Sequence, residues 1–549
     1  TLYISDDLRK VTTADGNYVQ TGGNVNLDNS SLVLETEGSK IASGSMSLKN
    51  NSTLTVTGAS TGVTGGALSI DDTSKLNYLA MAGMTQTTDN IRLHTSGLVD
   101  TINGVSTKNT LDSIVVNNGD DGDGQADFAI DINARATSTA DTDKYIANTI
   151  SVSTKDEAGV INISDFQLNG DLYSSGAPID RHIRLGKIFD SDKIDDEITF
   201  TSTDKEIFTP IGYYKLNASS ANDGSYSLDL TKFNPQAFRG QVTTAAAYFN
   251  QLSVNDSLFN KAQIRRYSPS YGDMFRNRTA LIEGTATYDR TMRESEVWVE
   301  AIGNFETFKF NNSLDKVRNN SWGMIVGADF GVKRLKRGWS WVPTGYVAYT
   351  GGHQTFNGVS AYQNGAQIGF MSSWMKGNFI ESALINTGIY GNDMEVSGNS
   401  EDAFGYFVGL ASKTAYDIPI THYFKIQPAL TLSYNMFGKQ NFHSDYGNMH
   451  MTSGFLNGFN IAPNLNFIWH RENWSAYAQI SYAWNLFTGL GGRAGNVELN
   501  NIKLDEGYVQ YAIGMTKSFS DRLDMYAQAT FRNFGRTGVV CQGGLNWRL

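Results

Sequence analysis

Residues Leu523–Phe534 alternate in character: Leu523, Met525, Ala527, Ala529 and Phe531 oppose Asp524, Gln528, Thr530 and Arg532. Successive strand side chains point to opposite faces, so the segment predicts a strand with one apolar and one polar face. The split recurs at Trp474–Phe487, where Trp474, Ala476, Ala478, Ile480, Tyr482, Trp484 and Leu486 oppose Ser475, Gln479, Ser481 and Asn485. It recurs at the end of the chain, where Val539, Cys541, Gly543, Leu545, Trp547 and Leu549 oppose Gln542, Asn546 and Arg548. A soluble sandwich strand also alternates, but its apolar face is usually shorter; about ten residues of alternation suit a tilted strand crossing a bilayer.

Twelve segments are strand candidates, near 296–310, 320–335, 338–351, 361–375, 377–391, 402–417, 421–437, 458–470, 474–487, 507–519, 522–534 and 538–549. An even number of antiparallel strands closes a barrel and removes its edges. The polar stretches Asn392–Glu401, Gly438–Gly454 and Thr488–Glu506 are expected to form its longer loops. All nine tryptophans lie from Trp298 to Trp547, as an aromatic girdle at each membrane interface requires.

Residues 233–266 read as a helix. Asn234 is a good N-cap, Pro235 occupies the first helical position, and Ala245-Ala-Ala247 favours continuation, while Gly240 and Asn255-Asp256 weaken it. Arg239, Gln241, Asn250, Asn255, Lys261 and Arg265 make it too polar for lipid, leaving a water-lined lumen or an exposed linker as its place. In a lumen, Arg239, Gln241, Asn250 and Lys261 would meet the inward rows, including Glu300, Asn304, Gln479, Gln510 and Gln528. Charges there are expected to stay partly solvated, each contact contributing about 0–1 kcal/mol.

The first hundred residues repeat. Asn29-Ser-Ser-Leu-Val-Leu34, Asn51-Ser-Thr-Leu-Thr-Val56 and Thr73-Ser-Lys-Leu-Asn-Tyr78 place Leu32, Leu54 and Leu76 at equal intervals of 22 residues. Short strands at one period predict a solenoid, with leucines stacking between coils, as in a right-handed parallel β-helix. Beyond residue 110 the period is lost but strands continue, at Ile114-Val-Val-Asn, Phe128-Ala-Ile-Asp-Ile, Ile150-Ser-Val, Val160-Ile-Asn-Ile and Tyr226-Ser-Leu-Asp-Leu. The Asp120–Asp127 turn is acidic enough to raise a calcium reading beside that of a solvated turn; the full loop pattern with a Glu in its twelfth place is absent.

With 549 residues the chain is long enough for more than one domain. A net charge of −11 and a pI near 5.2 argue against a nucleic-acid partner, which would need a basic patch. Mean hydropathy is −0.32 and no run reaches eighteen apolar residues, which excludes a helical membrane protein. Cys541 has no partner for an internal disulfide, and its apolar row makes it a small hydrophobe. The chain opens without a basic-then-apolar leader, so a signal peptide has been removed or a longer N-terminal part is missing. The seven histidines are scattered, and neither a Gly-x-Ser-x-Gly elbow nor a His-Glu-x-x-His motif occurs, so no catalytic residue, metal or cofactor is expected.

This order of parts resembles the type Va autotransporters. Asp143-Lys-Tyr-Ile with Gly159-Val-Ile-Asn-Ile is similar to their folding-assisting passenger end, Phe233-Asn-Pro with the Ala-rich helix to their pore linker, and Val297-Trp-Val-Glu300 to their first barrel strand. The C-terminus is similar to the signal read by the barrel-assembly machinery, through Gln542, Gly544, Trp547 and Leu549, with Leu549 where Phe or Trp is commoner. The resemblance implies an all-β protein: β-helix rungs over 1–110, an autochaperone-like region over 111–232, a pore helix over 233–266 and a twelve-stranded transmembrane barrel over 267–549. It implies outer-membrane lipid and the assembly machinery as partners, with the passenger at the extracellular surface. Some relatives cut the pore helix at Asn or Asp; Asn250, Asn255 and Asp256 lie in that region, but the paired-Asn junction is absent, so an uncut chain is expected. An uncleaved adhesin or structural protein with a host or cell-surface ligand is the favoured function, against a secreted enzyme whose catalytic part lies upstream. A plain porin is disfavoured by the repeat.

Overall fold

The computed structural model describes the chain over 198–267 and 295–549, apart from 311–313, 422, 472–473 and 521; before 198 it describes the strands and a few adjoining residues. Of the Asp120–Asp127 turn, residues 120–124 lie outside the described residues. The chain divides in the main into two compact units, Thr1–Asn234 and Pro235–Leu549.

The first unit is dominated by short parallel strands. Ser31–Leu34, Thr53–Val56 and Lys75–Tyr78 pair in parallel with Leu32, Leu54 and Leu76 in register, so the sequence interval becomes one step between neighbouring strands. Asn24–Asp28, Ser45–Lys49, Ala67–Ile70 and Thr85–Thr88 form a second parallel ladder. At the corner between the two, the Asn50 side chain donates to Asp28 Oδ1 at 2.7 Å and Ser30 N donates to Ser52 Oγ at 3.2 Å, each across 22 residues. Asn29 and Asn50 take positive φ there, a conformation asparagine tolerates.

Parallel pairing does not stop where the period does. The second ladder continues through Ser113–Val116, Ile150–Thr154 and Phe189–Asp190, and another runs through Asn90–Thr95, Gln125–Asn133, Gly159–Asn169 and Ile198–Ser202. The unit then changes direction: His182–Lys187, Ser225–Phe233, Gly212–Ala218 and Glu206–Phe208 form an antiparallel sheet. Phe189, Phe200 and Tyr226 lie buried, with the two phenylalanine rings stacked at 6.0 Å.

In the second unit a 3-10 turn, Pro235–Phe238, leads into one α-helix, Arg239–Tyr267. At ~1.5 Å per residue it is about 43 Å long. Among the described residues no helix is long and apolar enough to cross a membrane.

Twelve long antiparallel strands follow, and they close on themselves. They are Glu296–Phe308, Val317–Asp329, Ser340–Phe356, Val359–Lys376, Phe379–Val396, Asn399–Tyr416, Phe424–Phe437, Leu456–Arg471, Trp474–Leu486, Gly507–Ser520, Leu523–Phe534 and Arg536–Arg548. The first pairs with the last along its whole length, from Glu296 opposite Arg548 to Phe308 opposite Arg536, leaving no open edge. Each candidate segment of the sequence corresponds to one strand.

All three of the expected loops are differently built. The Asn392–Glu401 stretch is nearly all strand, turned by Ser397 and Gly398 at positive φ. The Gly438–Gly454 and Thr488–Glu506 stretches contain the strands Gln440–Ser444, Met449–Ser453, Gly489–Ala494 and Val497–Lys503, which form one four-stranded sheet. Their polar residues satisfy backbone and helix partners, which the alternation pattern cannot reveal.

Candidate functional site

Along the first strand Val297, Val299 and Phe305 are exposed, while Trp298, Glu300, Ile302, Asn304, Glu306 and Phe308 are buried. The exposed residues form the lipid-facing wall; Phe305, Ile368 and Ile513 are about 60% exposed (62%, 60% and 60%) because only hydrocarbon covers them. Polar residues point inward on every strand, and what covers them is the helix. Between Arg239 and Ala262 each helix residue is buried, polar and apolar alike, except Asp256, which is half-buried. A helix buried on all sides has no need of an apolar stripe, which is why it lacks amphipathic periodicity.

Three charges on the helix meet opposite charges on the wall. Near its start Arg239 donates from Nε to Glu401 Oε2 at 2.6 Å and from Nη2 to Glu401 Oε1 at 3.0 Å, a planar fork matched to a carboxylate. Ser444 holds the same carboxylate and accepts from Arg239 Nη2, both at 2.6 Å. In the middle Asp256 Oδ2 lies 3.7 Å from Arg532 Nη2. Near the end Lys261 Nζ is 3.6 Å from Glu296 Oε2 and lies over the Trp298 ring at 5.7 Å. Three oppositely charged pairs at three heights fix both the rotation and the axial position of the helix.

The middle pair belongs to a larger cluster. Glu306, on the first strand, accepts from Arg532 Nη1 at 3.0 Å and from Arg536 Nε and Nη2 at 2.9 and 2.8 Å. Arg536 Nη2 also donates to Phe249 O and Ser253 Oγ of the helix, both at 3.0 Å, and its guanidinium stacks on the Phe249 ring at 4.5 Å. Arg532 Nε donates to Gln510 Oε1 at 2.8 Å.

Between these charges run amides. Asn319 donates to Asn250 Oδ1 at 3.0 Å, Asn250 to Gln363 Oε1 at 3.1 Å, and Gln363 to Thr243 O at 3.0 Å. Asn386 donates to Asn255 Oδ1 and Asn260 to Gln528 Oε1, both at 3.0 Å. Gly458 makes room for the helix: a Cβ there would lie 2.4 Å from the Tyr248 ring.

All the residues the sequence singled out for the wall lie on inward rows, but their partners differ from those expected. Arg239, Asn250 and Lys261 meet Glu401, Gln363 with Asn319, and Glu296, while Gln241 packs beside Gly492. Asn304 donates to Ser321 at 2.8 Å, Glu300 is buried, and Gln479 lines a polar cavity beside Asp256 and Asn260. The expectation of partly solvated charges is also corrected. The side chains of Arg239 and Glu401 are 2% and 0% exposed, and those of Arg536 and Glu306 both 0%. Helix and wall aromatics, among them Tyr248, Phe249, Phe308 and Tyr508, fill the space that water was expected to occupy. Glu401, Glu306 and Arg536 were not singled out, and Arg532 was placed on a polar row without a helix partner, although a charge on an inward row was itself a signal.

On the last strand Gln542 is buried on the lumen side, and Trp547 and Leu549 stand on the lipid side. At Gly544 a Cβ would lie 2.5 Å from the Tyr526 ring, which crosses the wall there. Cys541 is exposed on the lipid row. Among the described residues no cluster of three or more His, Cys, Asp or Glu side chains is arranged to hold a metal.

The family model for the autotransporter beta-domain matches residues 297–530. The chain is similar to the solved translocator domain of the autotransporter NalP from Neisseria meningitidis, at 12% identity and a TM-score of 0.39, over 54% of this chain and 98% of that one. It is similar to the transport unit of AIDA-I from Escherichia coli, at 12% identity and a TM-score of 0.39, over 51% and 98%. It is similar to the beta domain of the Bordetella autotransporter BrkA, at 11% identity and a TM-score of 0.38, over 46% and 98%. No curated protein matches by sequence. Residues 297–530 thus match an autotransporter beta-domain, and the barrel they form is a non-enzymatic outer-membrane translocator for export of a passenger.

Proposed function

We propose that residues 1–232 are passenger and that the exported chain stays in one piece, anchored as a surface adhesin or structural protein. In this reading residues 1–110 are rungs of a right-handed parallel β-helix, 111–232 its autochaperone-like end, 233–266 the linker in the lumen and 267–549 the barrel. The parallel register of Leu32, Leu54 and Leu76 and the antiparallel sheet ending at Phe233 support the first two assignments. The assembly machinery reads Gln542, Gly544, Trp547 and Leu549 on the last strand, and the passenger meets a host or cell-surface ligand.

The observation that carries the reading is the burial of the helix from Arg239 to Ala262 inside the closed barrel. A helix so held both marks the path of the passenger and tethers it after export. Asn255, a residue type at which linkers of this kind are cut, has its Oδ1 engaged by Gln251 and Asn386 at 3.0 Å each. Protease added to intact cells tests the proposal: it should remove the passenger and leave a membrane fragment beginning near the helix, whereas untreated cells should yield only the uncut chain. Full protection of the chain would place the passenger inside the cell envelope, and a free passenger in the medium would overturn the uncut state.

A further inference from the structure

One end of the barrel carries a cation-rich hairpin that the translocation path does not use. The run Lys333-Arg334-Leu335-Lys336-Arg337 follows the second strand, at the rim where the first barrel strand begins and the last ends, as Leu549 N donates to Ser295 O at 2.9 Å. Lys333–Arg334 pairs with Ser340–Trp341, and Arg337 and Gly338 turn the tip at φ 65° and 77°. The cations at the tip are therefore held on a short ladder at the rim.

Aromatic rings lie directly beside these cations on the lipid-facing row. Trp341 is opposite Trp374 and shares its parity with the exposed Val347 and Tyr349. Lys333 Nζ lies 5.3 Å over the Trp341 ring, and Lys376 Nζ 5.7 Å over the Trp339 ring. Trp339 in turn packs edge-on against Phe379 at 6.0 Å. The neighbouring carboxylate on this row, Glu381, accepts from Thr414. Lys333, Lys336, Arg337 and Lys376 are exposed, and Leu335 beside them is 43% exposed.

We propose that this rim binds an anionic phospholipid headgroup, with Lys333, Lys336, Arg337 and Lys376 around its phosphate and Trp339, Trp341 and Trp374 against its glycerol and upper acyl region. An ammonium over an indole face keeps its N–H donors for a second, anionic partner. Tryptophan prefers the same depth, with its ring in the apolar layer and its N–H toward the headgroups. The positive tip, the interfacial rings and the lipid-facing row together match a charged lipid, with an acyl chain against the wall and a phosphate at the rim.

The test uses the full chain in nanodiscs of phosphatidylethanolamine and phosphatidylglycerol, with the lipid retained on the released protein measured by native mass spectrometry. Phosphatidylglycerol should be retained above its bulk ratio, and the excess should fall with added salt. Combined K333Q, K336Q, R337Q and K376Q should weaken that retention by roughly fivefold per charge removed. K439Q, at an exposed lysine beyond this rim, should leave it unchanged. Retention at the bulk ratio by the unaltered chain would overturn the proposal even if the combined variant failed to assemble. Displacement of the lipid by inorganic phosphate alone would overturn it in favour of a simple anion site.

Discussion

Arg536 on the last barrel strand and Glu306 on the first meet inside the lumen at 2.8 Å, across the seam that closes the barrel. The same guanidinium donates to Phe249 O and Ser253 Oγ of the helix. Seam closure and helix occupancy therefore share one side chain, and Glu306 holds Arg532 as well. Removing one member of a buried ion pair leaves its partner desolvated and uncompensated, typically at about 3–5 kcal/mol. Glu306→Gln should destabilise the folded barrel by that order, and by more than Arg532→Met, because it strands two guanidiniums. Unfolding titrations in vesicles, followed by the heat-dependent gel shift, would show the ranking; equal losses would mean that Arg532 does not depend on Glu306.

The clamp at the start of the helix gives a charge-swap prediction. Glu401→Arg should loosen the helix end by placing two guanidiniums together, and adding Arg239→Glu should restore part of the loss. Hydrogen exchange of the amides from 239 to 246 is the readout. Failure of the double variant to recover any protection would indicate that geometry around Ser444, rather than charge, holds the end.

Deleting Leu545–Leu549 should abolish membrane assembly. These residues pair with Glu296–Val299, so their loss leaves backbone groups of the first strand unpaired in lipid, each costing several kcal/mol. Normal amounts of heat-modifiable barrel in outer membranes after the deletion would refute the role given to the last strand.

An acid-sensitive contact lies in the antiparallel sheet before the helix. Burial alone would raise the pKa of Asp229, but hydrogen bonds from His182, Asn217 and Ser227 outweigh it and hold the carboxyl below its ordinary value. A depressed carboxyl contributes stability that is present above its unfolded pKa, about 3.9, and lost as pH falls through the folded value. Asp229→Asn should weaken this sheet at neutral pH and flatten its acid limb. Urea titrations of the full chain at stepped pH, followed by proteolysis near residue 215, should show both effects; an unchanged acid limb would assign it to other carboxylates.

The twelve strands were legible because alternation over a dozen residues, as in Leu523–Phe534, leaves one face for lipid and one for the lumen. The helix was legible through its composition and Pro235. Its partners were not. Which inward row meets Arg239 depends on the rotation and height of the helix inside the barrel, and neither is encoded in local periodicity. The fully buried pairs were also invisible, since lumen dryness follows from how Tyr248, Phe249 and the wall aromatics fill the bore. Parallel pairing beyond residue 110 was hidden because the intervals between paired strands become unequal there, as Ser113–Val116 pairing with Ile150–Thr154 shows.

The central claim is that the helix plugs the translocator, and conductance in planar bilayers tests it most directly. A chain beginning after Ala262 keeps all twelve strands but loses Arg239, Asn250, Asp256 and Lys261 with the rest of the lumen contacts. It should still insert, unfold at a lower temperature, and conduct ions more freely than the intact chain. An assembled barrel lacking the helix that conducts no better than the intact one would contradict the account.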